Sequence, residues 1–476
     1  MNMRGHLAIL AGASALFIAV PAQAAVFVSK QPTSNMSCSA GVCTPTAATA
    51  VLNVSQLETL LASGNVTIST GGAEASDIIS DASLTWASAN TLTLDAYQSL
   101  TIKYPVSVSG AGGVTILTND GGTGGMLSFQ DKGGIGFLGL TNALSINGVT
   151  YKLEDTIVGM ASDIAANSSG NYALAASYNA KSDPVYTASP IPTTFSGNFE
   201  GLGNAISHVR VRDKPDEFVG FFAFIDAGRV NDLKILDANV VAIKGSEVGI
   251  LTGNLEGAIS GVVTSGTVQA ADGEVGGVVG GACGQNITTS QSSAAVKITS
   301  SGMAGGLVGY ECAGGAIQTS FATGPVTTAS GWAGGLVGSI GQGSISNSYA
   351  TGSATTNNGS CCEPAGSAGG LLGYGFESSV QDSYSTGTAT GGSGAYAGGL
   401  IGIIYDGGSF GSNYWDTSTS ANTISLGNPS GTVVATGLSA TQFQAGLPPG
   451  FGKASWKENA SINGGLPYLL ANPPAN

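Results

Sequence analysis

The side chains able to do chemistry are few and poorly grouped. Of two histidines, His6 lies in an N-terminal leader, so His208 is the one imidazole left for a Ser-His-Asp relay. It stands in AISHVRV beside Arg210, where a polar-face strand position is the simpler reading. The densest carboxylates are Asp213, Asp216 and Glu217 in RDKPDE, interleaved with Arg212 and Lys214 in the manner of a solvated turn. Glycan cleavage needs carboxylates brought together, and the rest are scattered. Zinc-hydrolase patterns lack ligands. GIGFLG (134–139) matches a dinucleotide fingerprint by letter, with no helix pattern after it. No catalytic residue, cofactor or metal is therefore expected, and the chain reads as a binding protein rather than an enzyme.

Six cysteines suit an oxidising compartment. Cys38 and Cys43 would close a small loop. Cys283 and Cys312 each fall eight residues after a repeat start, so stacked repeats would put them within disulfide reach. Cys361 and Cys362 are adjacent, and form a vicinal bridge or reach elsewhere. The spacings match no zinc pattern.

The elements that position these residues come from an internal repeat. Clear copies start at Ala304 (AGGLVGY), Ala333 (AGGLVGS), Ala368 (AGGLLGY) and Ala397 (AGGLIGI). A close copy starts at Val275, and worn copies start at Val248 and Val219. From the first start to the last the intervals are 29, 27, 29, 29, 35 and 29 residues. Each unit has a second half, as in IQTSFATGPV, ISNSYATGSA and VQDSYSTGTA. Apolar residues alternate with small or polar ones in both halves, the period of a strand. Units of this size cannot bury an apolar face alone, so they stack. A three-sided parallel β-solenoid with rungs roughly 4.8 Å apart is predicted.

Two features are candidate contact sites. The unit starting at Ala333 carries extra residues in NNGSCCEPAGS, and insertions in solenoids become loops on one face. Asn357, Asn358, Ser360 and Glu363 are the candidate contact residues there, against a neutral insertion held by cysteines. Phe321, Tyr349, Tyr384 and Tyr414 recur at one place in four successive units. An outward ladder of rings could bind sugars; an inward ladder is ordinary core, and the core is the favoured reading.

Composition narrows the partners. There are 75 glycines, 9% charged residues and a net charge of −14. No basic run or aromatic–basic interleaving exists, so nucleic acid is excluded as a partner, and an anionic membrane surface is disfavoured. Met1–Arg4, the apolar run Leu7–Val20 and Ala22-Gln23-Ala24 read as a signal peptide, too short to span a membrane. No other stretch is long enough for a membrane span. The expected location is secreted or cell-surface, with the periplasm as the alternative.

The chain then divides into a signal peptide (1–24), a flexible lead-in with the small Cys loop (25–50) and a strand-rich N-terminal solenoid (51–153). An irregular connection (154–215) follows, with one short helix expected within Glu154–Ser169. The repeat solenoid (216–416) and a C-terminal cap over its open end (417–476) complete it.

The AGGLVGY…SYATG units resemble GLUG repeats of bacterial surface adhesins of the filamentous-haemagglutinin type. LTWASANTLTLDAYQSLTI, FSGNFEGLGNAIS, NYWDTSTSANT and NGGLPYLL resemble segments flanking the repeats in those adhesins. The resemblance covers most of residues 51–470. It implies an all-β fold, a right-handed parallel β-helix with about seven such rungs, and adhesin-like binding of a carbohydrate or protein surface. A carbohydrate-active lyase or hydrolase on the same fold, or a purely structural matrix protein, are the alternatives.

Overall fold

The computed structural model describes residues 24–72, 75–213, 216–243, 247–360, 365–418, 422, 424–428 and 435–474. Residues 1–23 of the expected signal peptide, Lys214, Cys361, Cys362 and Glu363 lie outside these described residues. The architecture is all-β, a parallel β-solenoid of about 13 turns. Among the described residues no helix is long and apolar enough to cross a membrane.

The first rungs are short and stack on three faces. Ala25–Ser29 pairs in parallel with Thr49–Asn53 on one side and Asp77–Ser80 on the other. Val66–Ser69, Leu92–Asp95 and Val114–Leu117 stack on a second face, and Leu84–Trp86, Pro105–Val108 and Gly134–Phe137 on a third. This corrects the flexible lead-in expected for 25–50. Val26 and Val28 are buried in the first core and Ala25 is buried beside them, because AVFV is a short continuous apolar run of the kind a strand covered on both faces carries, despite the small polar residues that follow it. The hairpin of Met36–Ser39 with Val42–Pro45 closes on the Cys38–Cys43 disulfide.

The irregular connection expected for 154–215 is corrected likewise. Val149–Glu154, Asn171–Leu174, Asn198–Glu200 and Phe222–Asn231 are consecutive parallel neighbours. The short helix is present, as Ile157–Ala166, capped by the Thr156 side chain and burying Ile157, Met160 and Ile164. The stretch looked irregular because this helix and a polar loop separate strands that nonetheless share one register.

In the second half the repeat alignment and the strand register coincide. Val219, Val248, Val275, Ala304, Ala333, Ala368 and Ala397 stand in one column, each paired with the next. Val308, Val337, Leu372 and Ile401 form another, and Ile317, Ile345, Val380 and Phe410 a third. Most of these residues fill one continuous core running from Ile157 to Trp415.

The glycines of the motif have a specific task. A Cβ placed on Gly338 would lie 2.5 Å from the Gly309 oxygen and 2.8 Å from the Ala304 nitrogen. Gly309 and Gly373 meet the preceding rungs in the same way, at 2.5 Å from the Val275 nitrogen and 2.4 Å from the Gly338 oxygen. The two strands of each unit thus pass one another backbone to backbone, with no room for a side chain. They form a thin neck along the rod.

The C-terminal segment was expected only to cover the open end. Leu426 and Thr436–Leu438 do pair with Ile401 and Tyr414–Asp416 of the last rung. The chain then turns back along the side of the rod. Pro449 accepts from the Tyr414 hydroxyl, Pro467 from the Tyr384 hydroxyl (2.7 Å), and the Asn472 amide donates to the carbonyls of Ser290 and Thr319. This strap crosses several rungs in the direction opposite to their stacking.

Several buried carboxyls make stability depend on pH. Burial pushes Glu154 up to about 7, with Asp163 adding to the effect, and burial also raises the Glu200–Asp232 pair. A carboxyl raised in the folded state favours folding while it is protonated. That contribution is full below the unfolded value of about 4.5 and is lost as pH rises through about 7. The melting temperature is expected to fall by several degrees from pH ~4.5 to pH ~8. A flat profile in a thermal melt series would contradict this.

Candidate functional site

A cleft lies beside the glycine neck. Trp332 lies in the strand Val326–Gly334, directly before Ala333, and Ser339 in the strand Val337–Gly341, directly after Gly338. Met303, Tyr310, Trp332, Tyr374 and Phe376 line the cleft, which encloses about 440 Å³. Register explains the lining. Met303 and Trp332 are partners in one column, and Tyr310, Ser339 and Tyr374 are partners in the facing one. Trp332 and Tyr374 stack across the gap, ring centroids 4.4 Å apart and planes 16° from parallel. Tyr310, Trp332, Tyr374 and Phe376 are half-buried, so the rings are held yet open to a ligand. Phe376 stacks on Tyr405, itself 51% exposed, and the aromatic surface continues past the cleft. Burial, then the neighbouring Glu274, raises the Tyr310 phenol; it stays a neutral donor at ordinary pH.

The predicted contact loop takes part indirectly. Asn357, Asn358 and Ser360 are exposed, and Asn358 Oδ1 accepts from the Ser360 amide. Farther along the insertion, the Ala365 carbonyl accepts from Trp332 Nε1 (3.4 Å). The insertion therefore props the tryptophan at the cleft. Cys312, in its disulfide with Cys283, lines the far wall.

The aromatic ladder is real but is neither an inward core nor an exposed surface. Phe321, Tyr349 and Tyr384 stack at 4.6 and 5.0 Å with planes within 5°. Their strand neighbours Ala322 and Ala350 point into the main core, so the rings point away from it. Tyr414 continues the column. The strap covers all four, contributing Phe443, Phe451, Trp456 and Leu469 to a separate cluster. All four rings are buried, in a second core rather than the main one: strand alternation aims them outward, and the strap then covers them.

His208 is at a corner rather than on a strand, with φ 61°, between Ala205–Ser207 and Arg210–Asp213. Its Nε2 is 4.0 Å from Asp237, and its Nδ1 has no hydrogen-bond partner among the described residues. Asp213 is buried at 1% exposure and accepts from the Asp216 amide, so it fixes the turn, whereas Asp216 is exposed. The solvated-turn reading thus fails for Asp213, which folds back to hold its own loop. None of these residues lines the cleft. Sequence reading missed Trp332, Tyr374 and Tyr310; their shared position flanking the glycine pairs was the available signal.

A family model described as the GLUG motif matches residues 332–356. The chain carries a GLUG motif there. The matched segment begins at the cleft tryptophan and runs through the ladder residue Tyr349. Halomucin of Haloquadratum walsbyi is similar, 31% identical over 115 residues that make up 24% of this chain. The chain spans about 1% of the length of that relative. Among solved structures, a putative immunoglobulin A1 protease from Bacteroides ovatus is similar at TM-score 0.42 and 18% identity, over 68% of this chain and 93% of that one.

Proposed function

We propose that this chain is a secreted or cell-surface, adhesin-like binding protein, and that it holds carbohydrate in the cleft beside the glycine neck. The observation that carries this reading is the half-buried Trp332–Tyr374 stack in an open cleft. Sugar rings offer C–H faces to flat aromatic faces and hydroxyls to edge donors, and Trp and Tyr supply both at little cost in side-chain freedom. The two disulfides and the resemblance to filamentous-haemagglutinin-type adhesins support a location outside the cytoplasm.

Purified protein incubated with neutral and charged oligosaccharides is expected to deplete them from solution without releasing fragments. Trp332→Ala is expected to weaken that binding by about tenfold or more. Fragment accumulation, or undiminished binding by the variant, would sink the reading.

A further inference from the structure

Toward the N-terminal end the same two columns change character from aromatic to acidic. Glu247 and Glu274 are register partners, and Glu274 pairs in turn with Met303 and so leads to Trp332. On the facing strand, Asn254 pairs with Gly281, and Gly281 with Tyr310. A Cβ on Gly281 would meet Glu247 Oε2 at 2.4 Å and Glu274 Oε2 at 2.7 Å. Both carboxylates therefore bend over one glycine, and their oxygens lie no farther apart than those two distances end to end. Asn254, 9% exposed, donates its Nδ2 to Glu247 Oε2 at 2.6 Å, while its Oδ1 has no hydrogen-bond partner.

Like charges placed in register repel, and half-buried carboxylates without a counter-charge are costly. Among the described residues neither glutamate has a basic partner. Glu217 and Glu256 add to the negative field at Glu247. Burial, then Glu247, pushes Glu274 up to about 8. A metal ion is poorly served, since no group of three or more acidic, histidine or cysteine ligands converges among the described residues. An ammonium group is well served. It needs a few oxygen acceptors and also gains from a nearby ring face, which Tyr310, one rung from Gly281, supplies.

Resting on the carbohydrate reading above, we infer that the cleft takes a chain of amino sugars, with rings against Tyr310 and Trp332 and a protonated amine over Glu247, Glu274 and Asn254. One rung advances the column by a strand spacing, comparable to one pyranose unit, so Tyr310 falls one sugar and Trp332 two sugars beyond the amine at Glu274.

Calorimetric titration of the full chain with glucosamine, N-acetylglucosamine and glucose pentamers tests this, in low salt near neutral pH, where a bound ammonium draws the Glu274 carboxyl down from about 8 toward its charged form. The glucosamine pentamer is expected to bind about tenfold more tightly than the other two. In the Glu247→Gln/Glu274→Gln variant that ratio is expected to fall close to one, with circular dichroism confirming the fold. Single Glu274→Gln is expected to fall between. Equal affinities in the unsubstituted protein, or a preference that survives in the double variant and so comes from overall acidity, would overturn the inference and leave the carbohydrate reading standing. Failure of all three pentamers to bind would sink both.

Discussion

Gly338→Val is expected to lower stability by about 3 kcal/mol and to abolish glycan binding together with it. The added side chain would meet backbone on two sides, the Gly309 oxygen at 2.5 Å and the Ala304 nitrogen at 2.8 Å. Neither is the end of a flexible side chain, so the neck must open. The adjoining Trp332 and Tyr374 would then lose their stacked geometry. Rungs in a solenoid depend on their neighbours, so the disturbance passes to the Gly309 and Gly373 contacts. Gly411→Ala is the matched control. Nothing lies within 4 Å of the position where its Cβ would be, and its effect is expected to stay within about 0.5 kcal/mol. Denaturant midpoints of the two variants measure the contrast. Similar midpoints would remove the neck as the reason for the repeated glycines.

Trp456→Ala is expected to cost about 3–5 kcal/mol of the strap's attachment. Trp456 is 1% exposed, stacks on Phe451 at 4.5 Å, and lies 6.1 Å from Tyr349 and 5.8 Å from Tyr384. Its Nε1 donates to Asn347 Oδ1 at 3.1 Å, so truncation also strips a partner from a turn of the rod. The cluster it anchors is separate from the main core. Loss should therefore appear as local release rather than global unfolding. Limited proteolysis is expected to cut within residues 435–474 while the rungs persist, and exposed tyrosine rings are expected to bind a hydrophobic dye. A strap that stays protected would show that its hydrogen bonds alone hold it.

Much of the rod was legible because its signal is periodic. A column such as Val275, Ala304 and Ala333 can be read from spacing alone, and so can the Cys283–Cys312 bridge that follows from it. The early rungs were harder. They vary in length, and Ala25–Ser29 is a short apolar run with no alternation, followed by a polar hairpin. The ladder's direction could have been inferred from Ala322 and Ala350, whose burial in the core forces their ring-bearing neighbours outward. Nothing local indicated the strap, since Trp456 meets Tyr349 across more than a hundred residues of sequence. The cleft was missed for the same reason. Trp332 and Tyr374 come from different units, and only the neck between them makes them a pair.

The strap also acts as a length gauge. Asn472 engages carbonyls at Ser290 and Thr319, while Pro449 sits at Tyr414, so one short segment measures off a fixed number of rungs. Open-ended arrays can gain or lose a unit by recombination with little penalty. Here an added or deleted unit between Ser290 and Tyr414 would throw every later anchor out of step, and the gauge would no longer close. The repeat count over this stretch is thereby tied to a segment that is not itself a repeat.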